Sequence, residues 1–281
     1  MKAEDAVIRP VISLLSKGIN GSGKTILSAS PILRPTYVFD FENRFDSVLK
    51  YYKGNLKDLE FDSYPIGTSY YNIDKKMDEI LARPVYKTVV AASLTSFIYN
   101  ILNHLITQKV AENKADKRIK VNMVGGIPIN QLQDFNAEDS AIINDLVAFF
   151  QQLKTQGVNC ILEAHISPYE MRYFEGGQQV TETIRTILTK GKKAPAAVPG
   201  FFNEIWLFEK SFEGVGENNK QVKYKVNTVG SPLDDCKTSW GIKNFDFTDN
   251  PDPYQLVLNQ LSDELKATPA ADPNRPKTIS F

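Results

Sequence analysis

Residues 18–25 read GINGSGKT, and this segment constrains the fold more than any other part of the chain. It matches the pattern G-x-x-x-x-G-K-[ST], in which the backbone amides of a glycine-rich loop surround a phosphate. The pattern is informative where it follows a strand and opens a helix. Here the apolar run 11–17 precedes it, and a short helical stretch that Pro31 ends follows it. The sequence therefore predicts an α/β protein with a phosphate site at the end of its first strand.

The residue types in this loop suit a nucleotide and a divalent cation. Lys24 is expected to reach the β- and γ-phosphates, and the Thr25 hydroxyl is expected to bind Mg²⁺. The N-terminus of the following helix should favour negative charge. The predicted cofactors are ATP or ADP together with Mg²⁺. The residues predicted to bind the nucleotide are Gly18, Asn20, Gly21, Ser22, Gly23, Lys24 and Thr25.

Apolar runs alternate with helical patterns as far as residue 164. Strands are predicted at 11–17, 36–42, 86–92 and 158–164, and helices at 74–82, 93–108 and 138–155. This alternation indicates a mostly parallel, twisted sheet flanked by helices. Later strands, partly antiparallel, are predicted at 203–209, 222–229 and 237–247. Asp252 and Pro253 resemble the N-cap and first residue of a last helix. We expect one domain over residues 1–266 and a disordered tail over residues 267–281.

The overall charge and hydropathy limit the class of protein. The chain has 281 residues, with 33 basic and 33 acidic side chains, so its formal net charge is zero. A neutral total weakens a nucleic-acid function without excluding it, because local clusters of charge matter more than the sum. The chain has neither an apolar run of membrane-spanning length nor the apolar region of a signal peptide. We therefore expect a cytoplasmic protein without a membrane partner.

Polar residues follow the second and fourth predicted strands. The second strand ends in Asp40-Phe41-Glu42, and the fourth ends in Glu163-Ala164-His165. A carboxylate beside the phosphate loop could position and deprotonate an attacking water, but the same pair could simply face solvent. A histidine at a strand end could sense the γ-phosphate and relay its loss to the next loop, or it could be a structural residue. Spacing alone leaves both alternatives open.

These segments, in this order, resemble the RecA-type ATPase core. They are most similar to phage-encoded nucleotide-binding proteins with that core, some of which act as single-strand annealing or recombination ATPases. The resemblance covers roughly residues 10–250, and its strongest parts are GINGSGKT, YVFDFEN, VVAASLTS, CILEAHIS and VPGFFNEIWLFE. It implies an ATPase working in the host cytoplasm, in which Lys24, Glu42 and His165 are catalytic, with Glu42 as the catalytic glutamate. It places Ser93 after the Walker B position and makes His165 the γ-phosphate sensor.

Ala92 departs from this family pattern, which usually reads VVxDSLTS with an aspartate where Ala92 stands. That carboxylate holds the water shell of Mg²⁺. The alanine is either natural, with the metal bound by Thr25 and Asp40, or a deliberate substitution that traps a bound state. The intact neighbouring residues favour the substitution. We expect impaired hydrolysis in this chain, and an increase in rate on changing Ala92 to aspartate.

Two long segments without clear periodicity, 107–137 and 165–195, follow the third and fourth predicted strands. RecA-type cores bind single-stranded DNA through loops at these places. Residues 109–120 carry five basic and two acidic side chains, and residues 185–193 carry four basic side chains and no acidic one. Cations that follow phosphates and aromatic rings that stack on bases are typical of single-strand binding, although such charge runs are often merely solvated loops. The residues predicted to bind DNA are Lys117, Arg118, Lys120, Arg172, Tyr173, Phe174, Arg185, Lys190, Lys192 and Lys193.

The function expected from these features is ATP-dependent binding of single-stranded DNA in phage-type recombination or strand annealing. The expected assembly is a homo-oligomeric ring or filament, in which Lys237 reaches a neighbouring subunit's phosphate. A single-strand binding protein is a further candidate partner. Two alternatives stay open: a non-hydrolysing nucleotide-dependent switch or assembly factor, and a helicase or helicase loader.

Overall fold

The computed structural model describes residues 11–102, 104, 122–124, 127–129, 136–176, 178–189, 197–213, 221–230 and 234–261. The strands of its main sheet are β1 (Ser13–Gly18), β2 (Thr36–Asp40), β3 (Leu59–Ser63), β4 (Thr88–Ala92), β7 (Asn159–Ala164), β10 (Glu204–Glu213), β11 (Gln221–Asn227) and β12 (Phe245–Asp246). Two separate hairpins are formed by β5 (Asn122–Val124) with β6 (Ile127–Ile129) and by β8 (Ile166–Glu175) with β9 (Gln178–Ile187). The α-helices are α1 (Lys24–Ser28), α2 (Asp46–Tyr51), α3 (Tyr70–Ala82), α4 (residues 94–102 and 104), α5 (Asn136–Thr155) and α6 (Pro253–Gln260).

The main sheet has the strand order β12-β11-β10-β1-β7-β4-β2-β3. The six strands from β10 to β3 are parallel, and β11 and β12 are antiparallel additions at one edge. All residues of β1, β2 and β4 are buried, as expected for strands covered on both faces. This architecture confirms the predicted fold class in its α/β form: a mostly parallel sheet flanked by helices, with C-terminal antiparallel strands. It places β1, which leads into the phosphate loop, inside the sheet.

Two hydrophobic clusters cover the two faces of the sheet. Neighbouring strand residues enter opposite clusters, as Val38 and Phe39 of β2 do. Helices α3, α4 and α5 contribute to one cluster, and α1, α2 and α6 contribute to the other. Helix α5 is positioned by apolar residues at helical spacing, and Gly157, with a φ of 83°, follows its end. The phosphate loop leads into α1, so it lies on the face of the sheet that α1 covers.

The second half of the chain differs most from the prediction. The prediction of a long loop over 165–195 was wrong for the described residues, because Ile166–Glu175 and Gln178–Ile187 are the paired strands β8 and β9. The predicted strand over 237–247 was also largely wrong: only Phe245–Asp246 are a strand, and Lys237 forms an isolated bridge with Ile205. Helix α2 and strand β3 were not predicted. The predicted last helix is confirmed at α6.

Some predictions lie outside the described residues. Residues 1–10 and 262–281 are among them, so the domain limits of 1–266 and the tail of 267–281 stay predictions. The segment 107–137 is described only in β5, in β6 and at the start of α5. Within the parts that are described, no helix is long and apolar enough to cross a membrane.

Candidate functional site

Two glycines fix the path of the phosphate loop. Gly18 ends β1 so close to β10 that a Cβ atom there would lie 2.5 Å from the Phe208 carbonyl oxygen. Gly23 has a φ of 88°, and a Cβ atom there would meet the ring of Phe247 at 2.6 Å. Helix α1 then begins at Lys24 and is only five residues long. A helix this short contributes little favourable dipole to phosphate binding, less than was predicted. The N–H groups of the loop itself are therefore the available phosphate ligands.

Lys24 lies buried against the inside of the loop. Its Nζ donates hydrogen bonds to the carbonyl oxygens of Gly18 and Ile19, each at 3.0 Å. Burial lowers the pKa of Lys24, and the charges of Glu163 and Glu42 oppose that shift. The two carbonyl oxygens thus hold the ammonium group at the loop, and a bound phosphate could replace them as its hydrogen-bond acceptors.

Four residues form a row across the ends of four adjacent strands. Ser16 of β1 pairs with Glu163 of β7, the β4–β7 register brings Ala92 beside Glu163, and Ala92 pairs with Asp40 of β2. The residues two positions earlier in each strand belong to the hydrophobic cluster on the α1 face; they are Leu14, Ile161, Val90 and Val38. Because side chains alternate along a strand, the row faces α1 and the phosphate loop. Ala92 therefore stands between two carboxylates.

Glu163 contacts the phosphate loop directly, and sequence reasoning did not single it out. Its Oε2 accepts a hydrogen bond of 2.7 Å from the Thr25 hydroxyl, and the residue is 2% exposed. Burial raises the pKa of Glu163 to about 7, although the Lys24 charge and the Thr25 hydrogen bond oppose the shift. Its Oε1 is buried and has no hydrogen-bond partner among the described residues. The available signal was a charged residue inside the otherwise apolar strand NCILEA, since such residues are rarely buried unless paired.

Asp40 organises the turn after β2. Its carboxylate accepts backbone N–H bonds from Glu42 at 3.1 Å, from Phe45 at 3.2 Å and from Arg44, and a hydroxyl bond from Ser63 at 3.3 Å. Both carboxylate oxygens are therefore used by the protein. This arrangement speaks against the predicted role of Asp40 as a metal ligand. It shows instead what fixes the turn that carries Glu42.

The structure brings Glu42, Ser93 and His165 together. Glu42 Oε1 accepts a hydrogen bond of 2.6 Å from Ser93 Oγ and lies 2.5 Å from His165 Nε2. These residues follow β2, β4 and β7, three adjacent strands, and the Ala92–Ser93 peptide bond is cis. Burial acts to raise the pKa of Glu42, but the bonds from His165 and Ser93 outweigh it and lower the pKa to about 2. Glu42 is thus ionised at neutral pH and is aimed by two side chains.

His165 also joins this cluster to the β8–β9 hairpin. Its carbonyl oxygen accepts a 2.6 Å bond from the backbone N–H of Leu188, the residue after β9. Thr95 of α4 donates to the Leu188 carbonyl at 2.9 Å and accepts the His165 N–H at 3.3 Å. Both ends of the hairpin are therefore anchored at the histidine.

The residues predicted to bind DNA have different outcomes. Arg172 and Phe174 lie on β8 with exposed side chains, 65% for Arg172 and 77% for Phe174, and Tyr173 lies between them on the same strand. Arg185 forms ion pairs with Glu209 and Asp234 at the base of the hairpin, so its charge is already engaged. The other six lie outside the described residues; they are Lys117, Arg118, Lys120, Lys190, Lys192 and Lys193.

Comparisons with known proteins find a likeness in structure but none in sequence. No protein-family model matches the chain, and no curated protein matches it. Among solved structures, a KaiC-like protein from the hyperthermophilic archaeon Pyrococcus horikoshii OT3 aligns with a TM-score of 0.46 at 13% sequence identity. The alignment covers 88% of this chain and 89% of that chain.

Proposed function

We propose that this chain binds ATP with Mg²⁺, hydrolyses it at a rate that Ala92 impairs, and couples the nucleotide to single-stranded DNA, in phage-type recombination or strand annealing in the host cytoplasm. The ATPase proposal rests on the cluster of Glu42, Ser93 and His165. These residues follow β2, β4 and β7, and β7 lies next to β1, the strand that leads into the phosphate loop. A purely structural nucleotide site has no need of an ionised carboxylate aimed by two further side chains. The proposed working form is a homo-oligomer.

The residues of this site divide the work of hydrolysis. The loop and Lys24 hold the phosphates, while Glu42 orients a water for attack on the γ-phosphorus. A new oxygen–phosphorus bond then forms, the bond to the bridging oxygen breaks and the proton of the water passes to the released phosphate, so that ADP and inorganic phosphate leave. With a pKa of about 2, Glu42 is better suited to orienting the water through a hydrogen bond than to removing its proton early. Mg²⁺, when bound, would neutralise phosphate charge, and the oxygen atoms of Thr25 and Glu163 suit such a hard cation.

The β8–β9 hairpin is the proposed DNA-binding element. It begins directly after the sensor position, and its exposed Phe174 and Arg172 offer a stacking ring and a cation. Glu170 lies 3.3 Å from Arg172, so the arginine charge is partly balanced and the aromatic ring is the stronger argument. Loss of the γ-phosphate would reach the hairpin through the Thr95 hydroxyl, which joins His165 to Leu188 beside their backbone bond.

The test is binding of a fluorescent single-stranded oligonucleotide, measured by anisotropy with and without ATP at two salt concentrations. Phe174→Ala should weaken binding by about 1–3 kcal/mol, the range for loss of one base stack. Binding should fall as salt rises, because phosphate contacts release counterions. Calorimetry on the wild-type chain measures ATP affinity in the same buffer.

Tyr71→Ala provides the matched control for this test. Tyr71 is 71% exposed and lies on α3, away from the hairpin. Its replacement should leave oligonucleotide affinity unchanged. Equal losses for the two variants would remove the hairpin from the proposal. A chain that binds ATP but no oligonucleotide at low salt would reject the recombination function and favour the nucleotide-dependent switch.

A further inference from the structure

The row of residues facing α1 contains two carboxylates, and they differ in whether they have an oxygen free to bind a metal ion. Ala92 is 5% exposed and stands between Glu163 and Asp40 in the row that faces the phosphate loop. Asp40 is fully used by the turn after β2. Glu163 is different, because hydrogen bonds from the Thr25 and Ser28 hydroxyls favour its charged form while its Oε1 has no hydrogen-bond partner among the described residues.

We infer that Glu163 supplies, from the adjoining strand, the metal-holding carboxylate that position 92 lacks, and that it binds the Mg²⁺ of the nucleotide together with Thr25. This inference rests on the proposed nucleotide-binding function. A carboxylate and a hydroxyl are both hard oxygen donors of the kind that Mg²⁺ prefers. The Oε1 of Glu163, buried and without a partner among the described residues, is the atom with capacity for a further ligand.

The same row explains why alanine suits position 92 better than aspartate does. Adjacent strands lie about 4.8 Å apart, so an aspartate at position 92 would place a third carboxylate between two others. Crowding three buried negative charges is unfavourable unless a cation or a proton compensates it. With Glu163 in place, an alanine at position 92 is the compatible residue. This favours a natural Ala92 over a substitution made to trap a bound state.

The test is ATP binding measured by calorimetry in EDTA and in Mg²⁺. Glu163→Gln keeps the size of the side chain and its ability to accept from Thr25, but it removes the charge. ATP affinity in EDTA should stay close to wild type, whereas the gain in affinity on adding Mg²⁺ should fall by about tenfold or more. Glu79→Gln, an exposed carboxylate on α3, should leave both values unchanged.

A second experiment introduces a carboxylate at position 92. Ala92→Asp combined with Glu163→Gln should recover most of the Mg²⁺-dependent gain, whereas Ala92→Asp alone should not increase it. Mn²⁺ in place of Mg²⁺ gives a direct readout, since electron paramagnetic resonance reports whether the ion is immobilised in the presence of ATP. The Glu163→Gln variant should hold less immobilised Mn²⁺ than wild type.

The outcomes separate the inference from the function on which it rests. A wild-type chain that binds no ATP in either buffer would overturn both. Normal ATP binding with the full Mg²⁺ gain in Glu163→Gln would overturn the inference and leave the proposed function standing. If Glu163→Gln does not fold, Glu163→Asp takes its place: it keeps the charge but withdraws the oxygens by one methylene, and it should also reduce the gain. A full gain in that variant would overturn the inference.

Discussion

At the scale of single residues, the site depends on how each carboxylate is partnered. Asp40 and Glu42 are two residues apart, yet Asp40 binds its own backbone turn while Glu42 faces Ser93 and His165. Glu163, on a different strand, is almost fully buried beside Thr25. Three carboxylates near one loop therefore differ in their partners: Asp40 holds a turn, while we propose that Glu42 orients a water and that Glu163 binds a metal ion.

Glu42→Gln should make the unliganded protein less stable at neutral pH. The folded-state pKa of Glu42 is about 2 against an ordinary value of 4.5, so its ionised form is stabilised by folding. That stabilisation is present above about pH 4.5 and is lost as the pH falls towards 2. Because the side chain is 19% exposed, we expect a loss of about 1–3 kcal/mol at pH 7 after allowing for solvent screening.

Denaturant unfolding of both proteins between pH 3 and pH 7 measures this difference, and the stability gap should narrow towards acid pH. Glu79→Gln, an exposed carboxylate on α3, serves as the control and should show little change. A Glu42→Gln variant as stable as wild type at pH 7 would mean that the His165 and Ser93 bonds do not stabilise the carboxylate.

At the scale of elements, the β8–β9 hairpin and helix α4 meet at His165. Thr95 is 5% exposed, and its hydroxyl joins the Leu188 carbonyl to the His165 N–H. The hairpin has ten residues in each strand, but within the described residues its strands pair only with each other, so it is separate from the main sheet. Its orientation therefore depends strongly on the contacts at its base.

Thr95→Val should uncouple the hairpin from the nucleotide. Valine has the shape of threonine without the hydroxyl, so both bonds at the base are lost while packing is kept. ATP affinity should stay near wild type, but the effect of ATP on oligonucleotide affinity should shrink towards none, from a typical coupling of about 5–150-fold. Anisotropy titrations with and without ATP measure it.

Thr68→Val is the control for this coupling experiment, because its hydroxyl bonds only the nearby Pro65 carbonyl in the described structure. It should retain the full ATP effect. If Thr95→Val also retains it, the base of the hairpin does not transmit the nucleotide state.

At the scale of the whole molecule, Lys237 is placed away from its own phosphate loop. Its backbone bridges Ile205, three residues before Phe208, which pairs with Gly18. At about 3.3 Å per residue, Lys237 lies roughly 10 Å below the level of the loop along the sheet. Its exposed side chain donates to the Phe202 carbonyl at 3.2 Å. A role in phosphate binding would therefore require a second copy of the chain.

Lys237→Ala should leave ATP affinity of the single subunit unchanged and reduce turnover only where subunits assemble. The expected reduction is about tenfold or more, the usual effect of losing a charged contact to phosphate. ATPase rates over a range of protein concentrations, with light scattering to follow assembly, measure it. Lys243→Ala, another exposed lysine in the same region, is the control. Equal turnover of wild type and Lys237→Ala in an assembled state would exclude the trans role.

The sequence by itself determined the parts of this protein that depend on local spacing. The phosphate loop, the buried strands around it and the long helix α5 follow from residues close together in the chain, whose periodicity matches one type of element. Glu42 and His165 could be named because the first is the last residue of a predicted strand and the second directly follows one. In a parallel sheet the strand ends that carry such residues meet at one edge, so their proximity followed from the fold class.

Only the tertiary structure decided how those residues are partnered. Thr25 and Glu163 are 138 positions apart, and their hydrogen bond depends on β7 lying between β1 and β4, an order that periodicity does not specify. The use of Asp40 by its own turn, and the pairing of 166–175 with 178–187 in place of a loop, likewise depend on backbone geometry. The chemistry of each side chain is known from the sequence. Which residue it contacts, and how deeply it is buried, depend on contacts between segments that are distant in the chain. These contacts decided which carboxylate faces the phosphate loop.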